Sequence, residues 1–151
     1  MDYSIQKAVE LGVSCIQPVN SSRVEVRLDG KRLAKRMAHW QRVVISACEQ
    51  SGRAVVPAVL TPVSLNEWLA ESGESARLVL DPLATIKLSS GPKLDETASL
   101  LVGPEGGFSA EEMERICSAG VTAVTLGARV LRTETAGPAA IAVLQAIYGD
   151  G

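Results

Sequence analysis

The chain has few of the residues that metal centres, disulfide frameworks and nucleophilic triads require. Its 151 residues include one histidine, His39, and three cysteines, Cys15, Cys48 and Cys117. A single histidine excludes a multi-histidine metal site and leaves one candidate for any Ser–His–Asp or Cys–His arrangement. The cysteines are odd in number and form no Cys-x-x-Cys pair, which predicts reduced, mostly buried thiols. We therefore expect no metal site and a cytoplasmic protein.

Aromatic residues and long apolar runs are also scarce. Aromatic residues make up 3% of the chain although 46% is hydrophobic, so the core is expected to consist of Leu, Val, Ile and Ala. No apolar run reaches the roughly 18 residues of a membrane span, and no secretory signal pattern opens the chain. The length predicts one domain, residues 1–151. The net charge of −2 does not favour RNA binding, although basic residues cluster at 31–42.

Two glycine-bearing segments, 102–108 and 126–136, are the most informative part of the sequence. Each follows an apolar run that predicts a buried strand, and each leads into a predicted helix. Glycine leaves room for a flat ligand to lie against backbone N–H and C=O groups. If these strands are neighbours, both segments form one pocket at the carboxyl edge of an α/β sheet.

Phosphate-binding glycine motifs are absent from both segments. Gly103 is not followed by the Gly-Lys-Ser/Thr of a P-loop, and Pro104 and Glu105 separate it from Gly106, so that Gly-x-Gly-x-x-Gly is not formed. The sequence therefore predicts a ligand other than a phosphate. A structural alternative remains open, because Ser109 and Glu112 have the spacing of a capping box and a tight turn entering a helix needs no ligand.

The pattern of apolar positions predicts alternating strands and helices, and hence a parallel α/β sheet flanked by helices. The predicted helices are 4–11, 31–50, 65–71, 110–119 and one that begins near Thr135, where Pro138 fits only within the first turn. The predicted strands are 13–19, 54–60, 77–80, 98–102 and 121–126, with an alternating segment at 23–29 and an exposed loop at 87–97. The last helix is apolar nearly all round, which predicts burial on both sides, in the fold or against a second copy.

Four sequence blocks, in order, resemble one protein family. They are Gly-Pro-Glu-Gly-Gly-Phe at 103–108, Leu-Gly-x-Arg-x-Leu-Arg-x-Glu-Thr-Ala at 126–136, Lys-Ala-Val-Glu-Leu-Gly-Val at 7–13, and Glu-Gln-Ser-Gly-Arg at 49–53 with Pro57. Together they are similar to the RsmE family of bacterial ribosomal RNA methyltransferases, which belong to the SPOUT class of knotted, S-adenosylmethionine-dependent enzymes. The resemblance implies a SPOUT-type trefoil knot, which periodicity alone does not reveal.

The resemblance also implies an activity and its residues. The expected reaction is methylation of uracil N3 at uridine 1498 of 16S ribosomal RNA, with Arg132, and Arg129 second, stabilising charge that develops on the base. A phosphate contact or a dimer salt bridge is the alternative role for Arg132. Cofactor contacts are expected from Leu80, Val102, Gly103, Pro104, Glu105, Gly106, Gly107, Leu126, Gly127, Leu131 and Thr135.

The expected partners are 16S ribosomal RNA in the small subunit and a second copy of the chain, with no membrane. Arg23, Arg42 and Arg53 are the expected RNA contacts, and a solvated helix or strand face is the alternative for each. The homodimer is expected to form through the knot and the C-terminal helix. Members of the family resemble a design with a PUA-like barrel before this domain, so we expect either a cut domain or a member without the barrel. Two alternatives stay open. A SPOUT relative that methylates another base or a ribose 2′-hydroxyl would have a similar cofactor turn, and a domain without the barrel could be a cofactor-binding module without turnover.

Overall fold

The computed structural model describes residues 1–23, 29–71, 73, 75–90, 93–94 and 96–149. Helices in these residues are α1 (Asp2–Glu10), α2 (Gly30–Ser51), α3 (Leu65–Ala70), α4 (Ala110–Ser118) and α5 (Thr133–Tyr148). The strands are β1 (Cys15–Ile16), β2 (Val19–Asn20), β3 (Ala58–Val59), β4 (Val63–Ser64), β5 (Ala76–Leu80), β6 (Ala98–Leu101) and β7 (Thr122–Val124). In the part of the chain described, no helix is long and apolar enough to cross a bilayer.

All strand pairs in the described chain are parallel, which confirms the predicted fold class. β6, β5 and β7 form a three-stranded sheet with β5 in the centre, while β1 pairs with β3 and β2 pairs with β4. Leu78 and Val79 of β5 face opposite sides of the central sheet, as neighbours on a strand must. Leu78 packs with Ala140 of α5, and Val79 packs with Ile116 of α4. The sheet is therefore covered on both faces. The trefoil knot stays a prediction.

The helix ends show why the sequence places helices here. Asp29 caps α2 by accepting the Arg32 N–H at 3.0 Å, and Gly52 ends the helix in the left-handed conformation with φ 74°. Gly12 follows α1 in the same way, with φ 94°. The predicted helix 31–50 is confirmed to within a residue at each end, because both of its end signals are local.

The predicted strand 13–19 is wrong as a continuous element. Buried Pro18 has no N–H for a ladder, and it separates β1 from β2, which pair with different partners. The predicted strand 54–60 contracts to β3 for a similar reason, because Pro57 is fully buried directly before it. The alternating segment 23–29 falls mostly on residues outside the described chain.

The region after β5 is less exposed than the sequence suggested. Residues 87–97 were expected to form an exposed loop, but Leu88 is buried in a short 3₁₀ turn, Leu88–Ser90, that packs beneath α5. Leu94 also packs against this cluster. The apolar side chains of the segment fill the space between sheet and helix, a contact that local composition does not reveal.

Three smaller expectations also need correction. The last helix begins at Thr133, so Pro138 is its sixth residue and lies beyond the first turn. Cys15 and Cys117 are exposed and only Cys48 is buried. The aliphatic core is confirmed in the main, yet it includes Trp40 and Trp68, 6% and 8% exposed.

Candidate functional site

The loops that follow β5, β6 and β7 leave the central sheet at one edge. These loops begin after Leu80, Leu101 and Val124 respectively. Because the strands are parallel, all of their carboxyl ends lie on the same side, where such folds bind ligands. The strand order is β6–β5–β7. The strands before the two glycine segments are therefore not neighbours, contrary to the expectation from the sequence, because β5 lies between them. Two strand spacings separate them, roughly 10 Å.

The turn after β6 is held by its own backbone and by a ring. The Gly107 N–H donates to the Pro104 carbonyl at 2.8 Å, and Gly107 has φ +67°, which favours glycine. A Cβ on Gly103 would lie 3.1 Å from a ring carbon of Phe108, which packs in the core beneath α4. Gly103 therefore has a packing reason to be glycine, whereas Gly106 and Gly107 have none from crowding within the fold.

The segment after β7 contains a residue that the sequence prediction missed. The hydroxyl of Thr125 accepts the Gly127 N–H at 3.2 Å and donates to the Gly127 carbonyl at 3.1 Å. It thereby fixes a glycine with φ +134°. The Thr-x-Gly spacing is typical of such a side-chain turn and was the available signal.

The loop after β5 is fastened to the end of β7. The Asp81 N–H donates to the Val124 carbonyl at 2.9 Å, and Thr125 exchanges hydrogen bonds with Ile86 and Leu88 at 2.8 and 2.9 Å. This loop leaves Leu83 90% exposed, and Val130 is 79% exposed in the loop after β7. The edge thus carries apolar side chains without cover from the described chain.

Most of the predicted cofactor residues lie along this edge. The half-buried ones are Leu80, Val102, Gly103, Pro104, Gly107, Leu126, Gly127 and Leu131, and the exposed ones are Glu105, Gly106 and Thr135. Leu80 and Leu126 pack against the core on the α5 side, and Val102 lies beside Gly137 of α5. Four of these eleven residues are glycine, so part of the edge is bare backbone beside aliphatic side chains.

Arg132 and Arg129 lie at the same edge, and both are exposed. Arg132 is the N-cap residue of α5, and its carbonyl accepts the Thr135 and Ala136 N–H groups at 2.9 and 2.8 Å. Neither guanidinium forms a salt bridge with any residue that the structure describes. A helix N-terminus carries positive potential, so a cation there is not explained by helix stability. The two arginines and the N-terminus of α5 together favour a ligand that carries negative charge.

The three predicted RNA-contact arginines have different surroundings. Arg23 is exposed and its Nη1 donates to the Gly106 carbonyl of the turn after β6. Arg42 is exposed on α2, beside the depression between α1 and α2 that Asp2, His39 and Arg42 line. Arg53 is half-buried, and its Nη1 donates to the carbonyls of Val9 and Val13 at 2.9 and 2.8 Å, tying the end of α1 to α2. The RNA contacts stay predictions, and this geometry gives Arg53 a structural use.

Glu112 is a buried carboxylate next to this site, and it is 1% exposed. Its Oε2 accepts the Ser109 N–H and its Oε1 accepts the Ser22 N–H, each at 2.8 Å. Burial, the largest single influence, raises the pKa of the Glu112 carboxyl, but the hydrogen bonds from Ser109 and Ser22 together lower it below its usual value. The carboxylate is therefore a charged anchor at neutral pH.

No group of three or more potential metal-ligating side chains is found in the described ranges. The polar groups at the sheet edge include backbone N–H donors, backbone carbonyl acceptors, side-chain hydroxyls, the Glu105 carboxyl group and the guanidinium groups of Arg129 and Arg132. This fold defines a parallel α/β domain, a class of protein that usually binds its ligands at the carboxyl edge of the sheet. Residues 1–145 match the family described as RNA methyltransferase domain, and the chain belongs to this family.

The similar proteins are named as methyltransferases of ribosomal RNA. The chain is 40% identical over 151 residues to ribosomal RNA small subunit methyltransferase E of Buchnera aphidicola subsp. Schizaphis graminum, covering 99% of this chain and 61% of that protein. It is 34% identical over 148 residues to the protein of the same name from Bacillus subtilis, covering 90% and 57%. The predicted family resemblance is confirmed, and the chain spans about 60% of the length of these relatives.

Two solved structures share the fold closely. A ribosomal RNA small subunit methyltransferase E from Neisseria gonorrhoeae bound to S-adenosyl methionine is 49% identical, with a TM-score of 0.93 over 99% of this chain and 62% of that one. A structure from Legionella pneumophila, described with the bound cofactor SAM, is 41% identical, with a TM-score of 0.91 over 97% and 61%.

Proposed function

We propose that this chain binds S-adenosylmethionine at the carboxyl edge of its central sheet and is the catalytic domain of a small-subunit ribosomal RNA methyltransferase. One observation carries the proposal. The loops at this edge belong to a fold that superposes, over 99% of the chain, on a relative described with S-adenosyl methionine bound.

The residues at the edge fit such a cofactor. Its adenine and methionine ends offer hydrogen-bonding groups that backbone N–H and C=O groups can match, and no other atom lies within 4 Å of the missing Cβ positions of Gly107 and Gly127. Leu80 and Leu131 supply apolar surface, while Thr135 adds a hydroxyl at the start of α5. When bound, the cofactor supplies an electrophilic methyl group on a sulfonium. No metal or covalent intermediate is required for that chemistry.

Arg132 is the proposed catalytic residue, with Arg129 as the second candidate. The finer proposal is methylation of N3 of uridine 1498 in 16S ribosomal RNA, as expected from the sequence blocks. Uracil N3 must lose its proton, and negative charge then spreads to the carbonyl oxygens. Arg132 is exposed at the positive end of α5, and its guanidinium would stabilise that charge. The main task of the remaining edge is orientation.

RNA contacts are proposed for the basic side of the molecule. Arg42 and the exposed basic residues of α2, namely Lys31, Arg32, Lys35 and Arg36, present positive charge to phosphate. Arg23 is the other proposed contact. Arg53 stays a further proposed contact, and its Nη1 also donates to the carbonyls of Val9 and Val13.

A homodimer is also proposed, through α5. This helix buries Gly137 and Ala140 on the protomer but leaves Ala142, Ala146 and Ile147 exposed. A second copy would cover this apolar face. Ile147→Glu is expected to give monomers, because a charge at an apolar interface is costly. Light scattering that shows the unmodified chain to be monomeric at micromolar concentration would contradict the dimer.

The function is tested in two stages. Calorimetry on the unmodified chain should detect S-adenosylmethionine binding but no ATP or NAD binding, and the reverse result overturns the cofactor proposal. Methyl transfer from labelled S-adenosylmethionine to undermodified small ribosomal subunits, with the modified base identified, then tests the target.

Arg132→Ala is expected to lower turnover roughly 100-fold or more while cofactor affinity stays nearly unchanged. Arg42→Ala is the matched control, which should weaken RNA binding without a change in turnover at saturating RNA. If Arg132→Ala weakens cofactor binding in proportion to the lost activity, Arg132 is a cofactor residue and the catalytic assignment fails.

A further inference from the structure

Glu112 does more than a capping residue needs to do. In a capping box the glutamate has one partner, the N–H of the N-cap residue, which here is Ser109 at 2.8 Å. The second oxygen of Glu112 accepts the Ser22 N–H at 2.8 Å, from a segment 90 positions earlier in the chain. The carboxylate therefore joins two distant segments while it is almost completely buried.

The Ser22 contact places Arg23 against the turn after β6. Arg23 Nη1 donates to the Gly106 carbonyl. The other end of the same peptide unit, the Gly107 N–H, donates to the Pro104 carbonyl at 2.8 Å. In a trans peptide the C=O and N–H groups point in opposite directions, so these bonds hold the Gly106–Gly107 peptide plane from both sides.

The plane needs such restraint because both of its residues are glycine. Glycine rotates freely into conformations that other residues avoid, and Gly107 adopts φ +67° with no other atom near the position of its missing Cβ. At Gly106 the atoms near this position belong to Arg23, at 3.5 and 3.6 Å. The ring of contacts Glu112–Ser22–Arg23–Gly106, closed through Ser109, supplies the restraint; we call it the clasp.

We propose that the clasp positions the turn after β6 for the cofactor, with Glu112 and Arg23 as positioning residues. Glu112 anchors Ser22, and Ser22 places Arg23 on the Gly106 carbonyl. The proposal rests on the cofactor binding proposed above for this edge. It gives Arg23 a task that requires no RNA, and an RNA-contact role for Arg23 alone is the competing outcome.

The test compares the Glu112→Gln variant with Glu67→Gln. Glu67 occupies the same place in the capping box of α3, but its carboxylate has no second partner among the residues that the structure describes, and it lies far from the turn in the sequence. Arg23→Ala, at an exposed position, is a second probe that leaves the core intact. Thermal melting identifies any variant that is not folded at the temperature used.

Amide hydrogen exchange on the free proteins tests the clasp without cofactor. Protection of the Gly107 amide should fall roughly tenfold in Glu112→Gln and in Arg23→Ala, but not in Glu67→Gln. Unchanged protection at Gly107 in both variants overturns the clasp. This readout decides the matter even if the unmodified chain fails to bind S-adenosylmethionine, a result that would instead overturn the proposed function.

Calorimetry without RNA tests the consequence for the cofactor. Kd for S-adenosylmethionine should rise roughly tenfold in Glu112→Gln and in Arg23→Ala, with no further loss in the double variant, because both act through one peptide. Glu67→Gln should bind as the unmodified chain does. A Glu112→Gln protein with a lower melting temperature and unchanged Kd makes Glu112 a cap only. An Arg23→Ala protein that loses RNA affinity but keeps its Kd makes Arg23 an RNA residue, and either result overturns the positioning role.

Discussion

The helices α3 and α4 begin with the same local chemistry, Ser-x-x-Glu, yet the two glutamates have different surroundings. In α3, Ser64 accepts the Glu67 N–H at 3.1 Å and Glu67 accepts the Ser64 N–H at 2.6 Å. In α4, Ser109 accepts the Glu112 N–H at 3.1 Å and Glu112 accepts the Ser109 N–H at 2.8 Å. Glu67 is exposed to solvent, whereas Glu112 is 1% exposed and also binds Ser22.

The comparison separates what a motif does locally from what the fold adds. Both carboxylates lie in the first turn of a helix, where the backbone dipole favours negative charge. Only Glu112 lies beside a glycine turn at the carboxyl edge of the central sheet. In the folded chain, the second carboxylate oxygen of Glu112, which a local cap leaves free, accepts the Ser22 N–H. This contact connects the start of α4 to the candidate cofactor site.

The largest expected difference is in global stability. Glu112→Ala should lower the free energy of unfolding by about 2–3 kcal/mol, because it removes the buried carboxylate that accepts both the Ser22 and the Ser109 N–H groups. Glu67→Ala should have a much smaller effect, since water replaces the exposed carboxylate. Urea unfolding followed by circular dichroism measures both. Equal losses in the two variants would show that the Ser22 contact adds nothing to the cap.

The sequence predicts the caps but not their partners. Both boxes are visible as Ser-x-x-Glu, because the interacting groups lie within four residues of each other. The Ser22 contact spans 90 positions and depends on how the chain folds back, which no local pattern encodes. The same reasoning applies to the fold. Helix α2 was predicted closely from Asp29 and Gly52, whereas the separate partners of β1 and β2 were not.

The candidate site shows the same division. The glycine segments and the strands before them were predictable because glycine, a preceding apolar run and a following helix are adjacent in sequence. The position of β5 between β6 and β7 was not, because strand order is set by tertiary packing. Arg53 illustrates the remaining gap. The sequence blocks suggested an RNA contact for Arg53, which stays a prediction, and no local pattern indicated that its Nη1 also bonds the carbonyls of Val9 and Val13.

Acidification should produce a smaller difference in unfolding free energy between the two glutamates than the alanine substitutions do, because protonation removes only the charge of the side chain. The pKa of the Glu112 carboxyl is lowered in the folded protein, so the unfolded chain takes up this proton first as the pH falls. The stabilisation from Glu112 is complete above its unfolded pKa, about 4.3, and is lost as the pH falls through the lower folded value. The free energies of unfolding of the unmodified chain and of Glu112→Gln should therefore converge as the pH falls from 5 to 3.

Urea midpoints at a series of pH values measure this convergence. The pKa of Glu67 is also lowered, by hydrogen bonds from the Ser64 backbone and side chain, so Glu67→Gln should converge with the unmodified chain in the same direction. Its initial gap should be smaller, because its carboxylate is exposed to water. A Glu112→Gln protein that keeps a constant gap from the unmodified chain down to pH 3 would show that the charge of Glu112 does not stabilise the fold.

The smallest expected difference in unfolding free energy is between alanine substitutions of the two capping serines. Ser64→Ala and Ser109→Ala each remove one hydroxyl that accepts a backbone N–H at 3.1 Å, and each should cost about 1 kcal/mol. Neither hydroxyl contacts Ser22, so the contribution that sets Glu112 apart should be absent from this pair. Urea unfolding of the two variants should give free energies within about 0.5 kcal/mol of each other. A markedly larger loss in Ser109→Ala would mean that the α4 cap is strengthened as a whole by its burial, and that the Ser22 contact of Glu112 is not the source of the difference.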